Sequence, residues 1–222
     1  MAYQDDIKKA AALLLPWNKL SGCNILVTGA TGLIGGCLVD VLMAHKGRNY
    51  NVYASGRNEE RAGRRFLKYA DDNAFHFVKY DVAQPLEYDV NFLYIIHAAS
   101  GAYPEEFIKH PVEVIKGNIN GLDNLMGYGI QHGIKRLLYI SSGEVYGEGD
   151  GRVFTENYSG YVDCTSLRSC YPSSKRAAET LCISYGAEYG IDVVIARPCH
   201  VYGPGFTAVS YTHLTLPTNS RV

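Results

Sequence analysis

The stretch VTGATGLIGG at residues 27–36 constrains this chain more than any other. It follows a short run, Cys23, Asn24, Ile25 and Leu26, that reads as a buried first strand. It leads into Leu33, Ile34, Leu38, Val41 and Leu42, whose spacing reads as a helix. Strand, glycine turn and helix, in that order, are what a dinucleotide site needs. Gly29 supplies a backbone conformation closed to other residues, Gly32 lets the main chain approach a pyrophosphate, and Gly35 lets the helix lie close on the strand. The free amides at the helix start then face the anion. A Walker-type phosphate loop is excluded, because no Gly-Lys-Ser/Thr follows.

Downstream, strands alternate with helices. Residues 51–54 read as a second strand, 59–69 as a helix with a basic face, 75–78 as a third strand with Asp81 beyond its end, and 92–96 as a fourth strand running into His97, Ala98, Ala99 and Ser100. A long helix follows Pro111, with Val112, Ile115, Ile119, Leu122 and Leu125 on one face. Residues 137–140 form a fifth strand, 173–189 a helix and 193–196 a sixth strand. Near-continuous apolar strands separated by helices predict an α/β fold of the Rossmann type, a doubly wound parallel sheet covered on both faces. Residues 147–170 are polar and glycine-rich without a clear period. A loop of that length beyond a strand's carboxyl end is where such sheets place ligands.

Composition narrows the function classes. With 21 basic and 22 acidic side chains the net charge is -1, which argues against nucleic acid as a partner. The six cysteines include no CxxC pair and several fall in predicted elements. They read as reduced, mostly buried thiols and imply a cytoplasmic location. The apolar run 10–15 is closed by Pro16 and preceded by Asp5 and Asp6. It is too short to span a bilayer, so no membrane role is expected, and it reads as a surface helix within an N-terminal extension over residues 1–20. No His, Cys or Asp spacing suggests a metal.

Tyr171 and Lys175 lie four apart at a helix start and so share one face. An ammonium beside a phenol favours the phenolate and predicts a lowered tyrosine pKa, useful for a general base. Ser142, just past the fifth strand, stands where its hydroxyl can meet the same substrate oxygen. His97 ends a buried strand and reads as a core histidine, and Tyr185 and Tyr189 read as packing residues.

TGATGLIG at 28–35, HAAS at 97–100, Asn118 in GNINGLDNL, SSGEVYG at 141–147, YPSSK at 171–175 and RPCHVYGPG at 197–205 together resemble the extended short-chain dehydrogenase/reductases. Within these, the resemblance is to the NAD-dependent epimerase/dehydratase family of nucleotide sugars, over about residues 20–206. It implies a Rossmann domain over 21–206 that binds NAD. Gly29, Thr31, Gly32, Leu33, Ile34 and Gly35 would lie at the pyrophosphate, Asp81 and Val82 at the adenine, and Ala98, Ala99 and Asn118 along the cofactor. It implies that Tyr171 takes a sugar hydroxyl proton while hydride leaves the same carbon. Lys175 would bind the nicotinamide ribose, and Ser142 would hold the reacting oxygen. The implied substrate is a nucleotide sugar, and the implied assembly of a full-length parent is a homodimer.

Glu144 matches a glutamate of 4,6-dehydratases and UDP-glucuronate decarboxylases, whereas Gly143 stands where dehydratases carry an acid. The run from Arg168 through Tyr171 to Lys175 and Arg176 is similar to the decarboxylase signature, with 4-epimerase and dehydratase as alternatives. A cofactor-binding module without catalysis is the alternative of another class. Two departures stand out. Arg57 follows Ser55 and Gly56 where that branch has an acidic pair closing the second strand, which leaves NADP open. His200 replaces a common asparagine. Finally, the family runs on for about another domain's length past the 197–205 motif. Residues 209–222 resemble a translated sequencing adapter, so residues 207–222 are expected to be a non-native or disordered tail on an incomplete, weakly active or inactive chain.

Overall fold

A computed structural model of the chain describes residues 2–101 and 104–203. Six strands, β1 (Asn24–Thr28), β2 (Asn51–Gly56), β3 (Phe75–Lys79), β4 (Phe92–His97), β5 (Arg136–Ile140) and β6 (Asp192–Ala196), form one sheet in the order β3-β2-β1-β4-β5-β6. All five pairings are parallel. The chain reverses direction across the sheet between β1 and β4, and the carboxyl ends of these two strands open the crevice in which such folds bind ligands.

The helices are α1 (Ala2–Ala11), α2 (Leu33–Ala44), α3 (Glu59–Phe66), α4 (Pro104–Lys109), α5 (Pro111–Gln131) and α6 (Cys170–Tyr189). One core joins Leu26, Phe92, Ile95, Leu137 and Tyr139 of the sheet to Leu122, Leu125 and Met126 of α5 and Ala178 and Cys182 of α6. The other joins Ile25, Val27, Val52 and Ala54 to Val39, Leu42 and Met43 of α2 and Ala62 and Phe66 of α3. Cover on this second face is partial. Tyr94 and Ile96 of β4 still pack against this core, whereas over β6 Val194 is 42% exposed.

Three local expectations are corrected. The apolar run 10–15 is not a helix: α1 ends at Ala11, and Leu13, Leu14 and Leu15 are exposed beyond it. The face that α5 buries is Val114, Asn118, Leu122, Leu125 and Met126, not the stripe through Val112 and Ile115, which are 60% and 39% exposed. A polar Asn118 with partners of its own takes the place an apolar residue was expected to fill. Of the cysteines, all free, only Cys23, Cys170 and Cys182 are buried, while Cys164 and Cys199 are exposed.

The N-terminal segment is fastened to the domain through one carboxylate. Asp40 of α2 is fully buried and accepts hydrogen bonds from Tyr3 at 2.7 Å, Tyr69 at 2.9 Å and Arg65 at 2.5 Å, with the Lys68 ammonium 2.9 Å away. Burial pushes this carboxyl up, but the Arg65, Tyr3 and Lys68 hydrogen bonds outweigh it and hold it below its ordinary value of 3.8. A depressed carboxylate contributes stability that is present above the unfolded value and is lost as pH falls through the folded one. Asp40→Asn is therefore expected to cost about 2 kcal/mol at neutral pH, because two cations lose a partner but remain partly in water. It should also flatten the fall in stability below pH ~4, and urea melts of both proteins at several pH values read the two effects.

Candidate active site

The glycine turn closes on the sheet as a cradle without side chains. Gly29 has φ +64°, and a Cβ there would lie 2.6 Å from the Ala98 carbonyl oxygen. A Cβ at Gly35 would lie 2.5 Å from the Gly29 oxygen, so α2 sits directly on the turn. Gly32 caps α2, whose first amides have no partners within the helix and point toward the crevice mouth. Ala98 and Ala99 thus border the turn. Thr31 packs beside Gly56 at the end of β2, and Leu33 lies beside Gly203. Val82 packs on Gly121 of α5, and Asp81 folds its carboxylate back onto the Ala83 amide. Arg57 is exposed just past β2. The buried Ser55 hydroxyl at that strand's end has no partner among the described residues. A pyrophosphate-bearing dinucleotide fits this cradle, which a single Cβ would fill.

Across the crevice stands the second group. Ser142 caps the short turn 143–146 after β5, its Oγ accepting the Glu144 amide at 3.2 Å. Tyr171 lies in the first turn of α6, three residues earlier than the sequence placed the helix start, and is buried. Hydrogen bonds chain its helix to the sheet: Ser100 donates to Asn118 Oδ1 at 2.8 Å, Asn118 Nδ2 donates to Ser174 Oγ at 2.9 Å, and Ser174 donates to the Tyr171 carbonyl at 3.0 Å. Both polar ends of Asn118 are thus spent inside the protein. Lys175 is buried, donates to the Ile140 carbonyl at 2.9 Å and lies over the Tyr139 ring at 4.7 Å.

The expected lowering of the tyrosine pKa is not found. Burial pushes the Tyr171 phenol above its ordinary value, with Ser142 and Ser100 hydrogen bonding pulling the other way. Burial likewise drives Lys175 down to about 7. The ammonium is turned onto Ile140 and Tyr139, 5.9 Å from the Tyr171 ring centre, so desolvation outweighs the attraction that spacing alone implied. His97 is buried and neutral, its Nδ1 2.7 Å from Thr28 Oγ1, and burial pushes it down to about 3. Among the described residues no group of His, Cys, Asp and Glu is placed to hold a metal ion, and no helix is long and apolar enough to cross a membrane.

The chain as a whole has counterparts among known proteins. The family model described as "NAD dependent epimerase/dehydratase family" matches residues 25–217. The chain belongs to this family. It is 37% identical to UDP-glucuronic acid decarboxylase 6 of Arabidopsis thaliana, over 83% of this chain and 52% of that protein. To UDP-glucuronic acid decarboxylase 1 of Xenopus tropicalis it is 34% identical, over 81% and 41%. The chain thus spans about half the length or less of these curated relatives. Among solved structures, the UDP-glucuronic acid 4-epimerase of Bacillus cereus, in complex with UDP-glucuronic acid and NAD, superposes with a TM-score of 0.69. The identity is 25%, over 83% of this chain and 59% of that one.

Three side chains around Tyr171 and Asn118 escaped the sequence reading. Ser100 stood in the HAAS motif without a role, and Ser174 stood inside YPSSK. Phe107, which stacks on Tyr171 with ring centres 4.7 Å apart, belongs to no motif and carried no signal. The expected tail, residues 207–222, lies outside the described residues, as does the end of the 197–205 motif.

Proposed function

We propose that this chain serves a nucleotide-sugar enzyme that uses NAD to oxidise the sugar at C4, and that the following step is decarboxylation of UDP-glucuronate. The observation that carries this is the buried Tyr171 phenol, stacked on Phe107 and sharing a helix face with Lys175, across a crevice from the glycine cradle. Residues 29–35 would hold the pyrophosphate and Lys175 the nicotinamide ribose. The dinucleotide, when bound, would accept the C4 hydride and return it to C4 once carbon dioxide has left and C5 has taken up a proton, which gives the pentose. Tyr171 takes the proton of the C4 hydroxyl, while Ser142 stabilises the phenolate by donating to it. A ketone at C4 makes the C5 carboxylate a β-keto acid, which loses carbon dioxide without an acid to expel a leaving group. That agrees with Gly143, which carries no side chain and so cannot supply the acid that dehydration needs.

The names of the curated relatives support the decarboxylase step, and the 4-epimerase neighbour marks the competing outcome. The test supplies UDP-glucuronate and NAD. Carbon dioxide and a pentose nucleotide are the expected products, an intact sugar inverted at C4 would make it an epimerase, and no turnover would favour a binding module. We further read residues 21–206 as the dinucleotide-binding domain, with 1–20 clasped onto it, and a cytoplasmic homodimer through α5 and α6. The exposed Val112, Ile115 and Ile183 (61% exposed) on those helices support the dimer.

NAD is the cofactor of this proposal, with Arg57 as the feature that would admit NADP. Arg57 is exposed and in no ion pair among the described residues, beside a strand end that lacks the carboxylate that repels a 2'-phosphate. Arg57→Ala is expected to weaken NADP binding about fivefold, as an exposed charge contact of roughly 1 kcal/mol requires. Its NAD affinity should change little, and calorimetric titration with each dinucleotide checks this.

A further inference from the structure

Arg168 carries a motif position to which the proposed chemistry gives no task. It lies in the short turn 167–169 that enters α6, three residues before Tyr171. Its guanidinium donates to Glu144 Oε1 at 2.6 Å and lies over the Phe107 ring at 4.6 Å. Phe107 is buried, and its other neighbour is Tyr171, the two rings 4.7 Å apart and inclined by 25°. Behind this stack the Cys170 thiol donates to the Phe107 carbonyl at 3.7 Å, joining α4 to the start of α6. One cation therefore touches both Glu144 and the ring that stacks on the proposed base Tyr171, groups from separate parts of the chain.

We propose that Arg168 is a positioning residue, whose guanidinium holds the Glu144 carboxylate on one side and the Phe107–Tyr171 stack on the other and so sets the distance between the two across the sugar. This rests on the function proposed above. The energetics point the same way. The side chains of the pair are 48% and 41% exposed, and ion pairs that wet add little to folding. A contact that adds little to stability, yet meets a flat ring from one face and a carboxylate from its edge, acts through geometry. Lysine lacks the planar group needed for both at once. Around Tyr171 the other charged or titratable groups are Lys175 and Cys170 on α6, Tyr139 on β5 and Glu144 on its turn, with the Ser142 and Ser100 hydroxyls.

The experiment compares Arg168→Gln, Arg168→Lys, Glu144→Gln and the Glu144→Gln/Arg168→Gln double variant. Tyrosines carry a 13C label, and the Tyr171 resonance is assigned by its loss in Tyr171→Phe. Arg168→Gln is expected to melt within about 3 °C of the parent, as loss of an exposed pair implies. It should shift the Tyr171 ring resonance and lower kcat about 10- to 100-fold, with KM changed less than about threefold. Arg168→Lys should recover part of kcat, and the loss in the double variant should be smaller than the product of the two single losses, since the Glu144–Arg168 pair is common to both. Wild-type kcat with an unmoved Tyr171 resonance in Arg168→Gln would overturn the proposal, as would losses that multiply in the double variant. Should the parent turn over no sugar nucleotide, the functional reading fails and the resonance alone decides: moved, Arg168 positions Tyr171; unmoved, it does not.

Discussion

Tyr171→Phe is expected to cut turnover by about 10³-fold while leaving dinucleotide affinity within about twofold, the size of effect that removal of a general base produces. The substitution deletes one oxygen and keeps the ring that stacks on Phe107, so the fold should be untouched. The pH profile gives a second reading of the same group. Burial raises this phenol, and the Ser142 hydroxyl opposes the rise by donating to its ionised form. Ser142→Ala removes that donor, so the phenolate becomes harder to form. The rising limb of kcat/KM against pH should then move to higher pH, in addition to any loss in rate. A limb that stays in place, or moves to lower pH, would show that Ser142 does not act on the phenol.

Gly29→Ala is expected both to destabilise the fold and to abolish dinucleotide binding. The position has φ +64°, which costs an L-residue about 1–2 kcal/mol. The new Cβ would also press into the Ala98 backbone at 2.6 Å, and overpacking against main chain that cannot swing away adds about 1–3 kcal/mol. The sum, about 3 kcal/mol, corresponds to a fall of roughly 10 °C in melting temperature for a chain of this size. Displacement of the turn should abolish dinucleotide binding as well. Gly133→Ala separates the two causes, since Gly133 has φ +69° with nothing within 4 Å of a Cβ. It should show only the backbone share, about 1 kcal/mol, with binding intact. Equal melting shifts in the two variants would mean that the crowding at Ala98 is not felt.

The strands were legible because each is an apolar run closed by turn residues, and burial on at least one face demands that pattern; their observed bounds differ from the expected ones by no more than two residues. The start of α6 was not. Pro172 reads as a stop, but at the third helical position it gives up only an amide that has no partner in the first turn anyway, so the helix begins at Cys170. Spacing placed Tyr171 and Lys175 on one face correctly and misjudged their ionisation, because periodicity carries no information on how completely a group is cut off from water. The Glu144–Arg168 pair joins residues 24 apart across an aperiodic loop, and Phe107 enters the site through a short helix with no motif. Such features arise from how a loop is laid down, which no local pattern encodes.

The third residue of the chain is wired to a carboxylate sealed from solvent. Handling of the amino end during purification therefore has consequences some forty positions downstream. A preparation nibbled by exopeptidases would contain molecules in which Asp40 has lost one of its phenols, and these would unfold at a lower temperature than their intact neighbours. A two-step melt that sharpens when protease inhibitors are added would be the signature of that loss, and mass spectrometry would show whether Tyr3 is still attached.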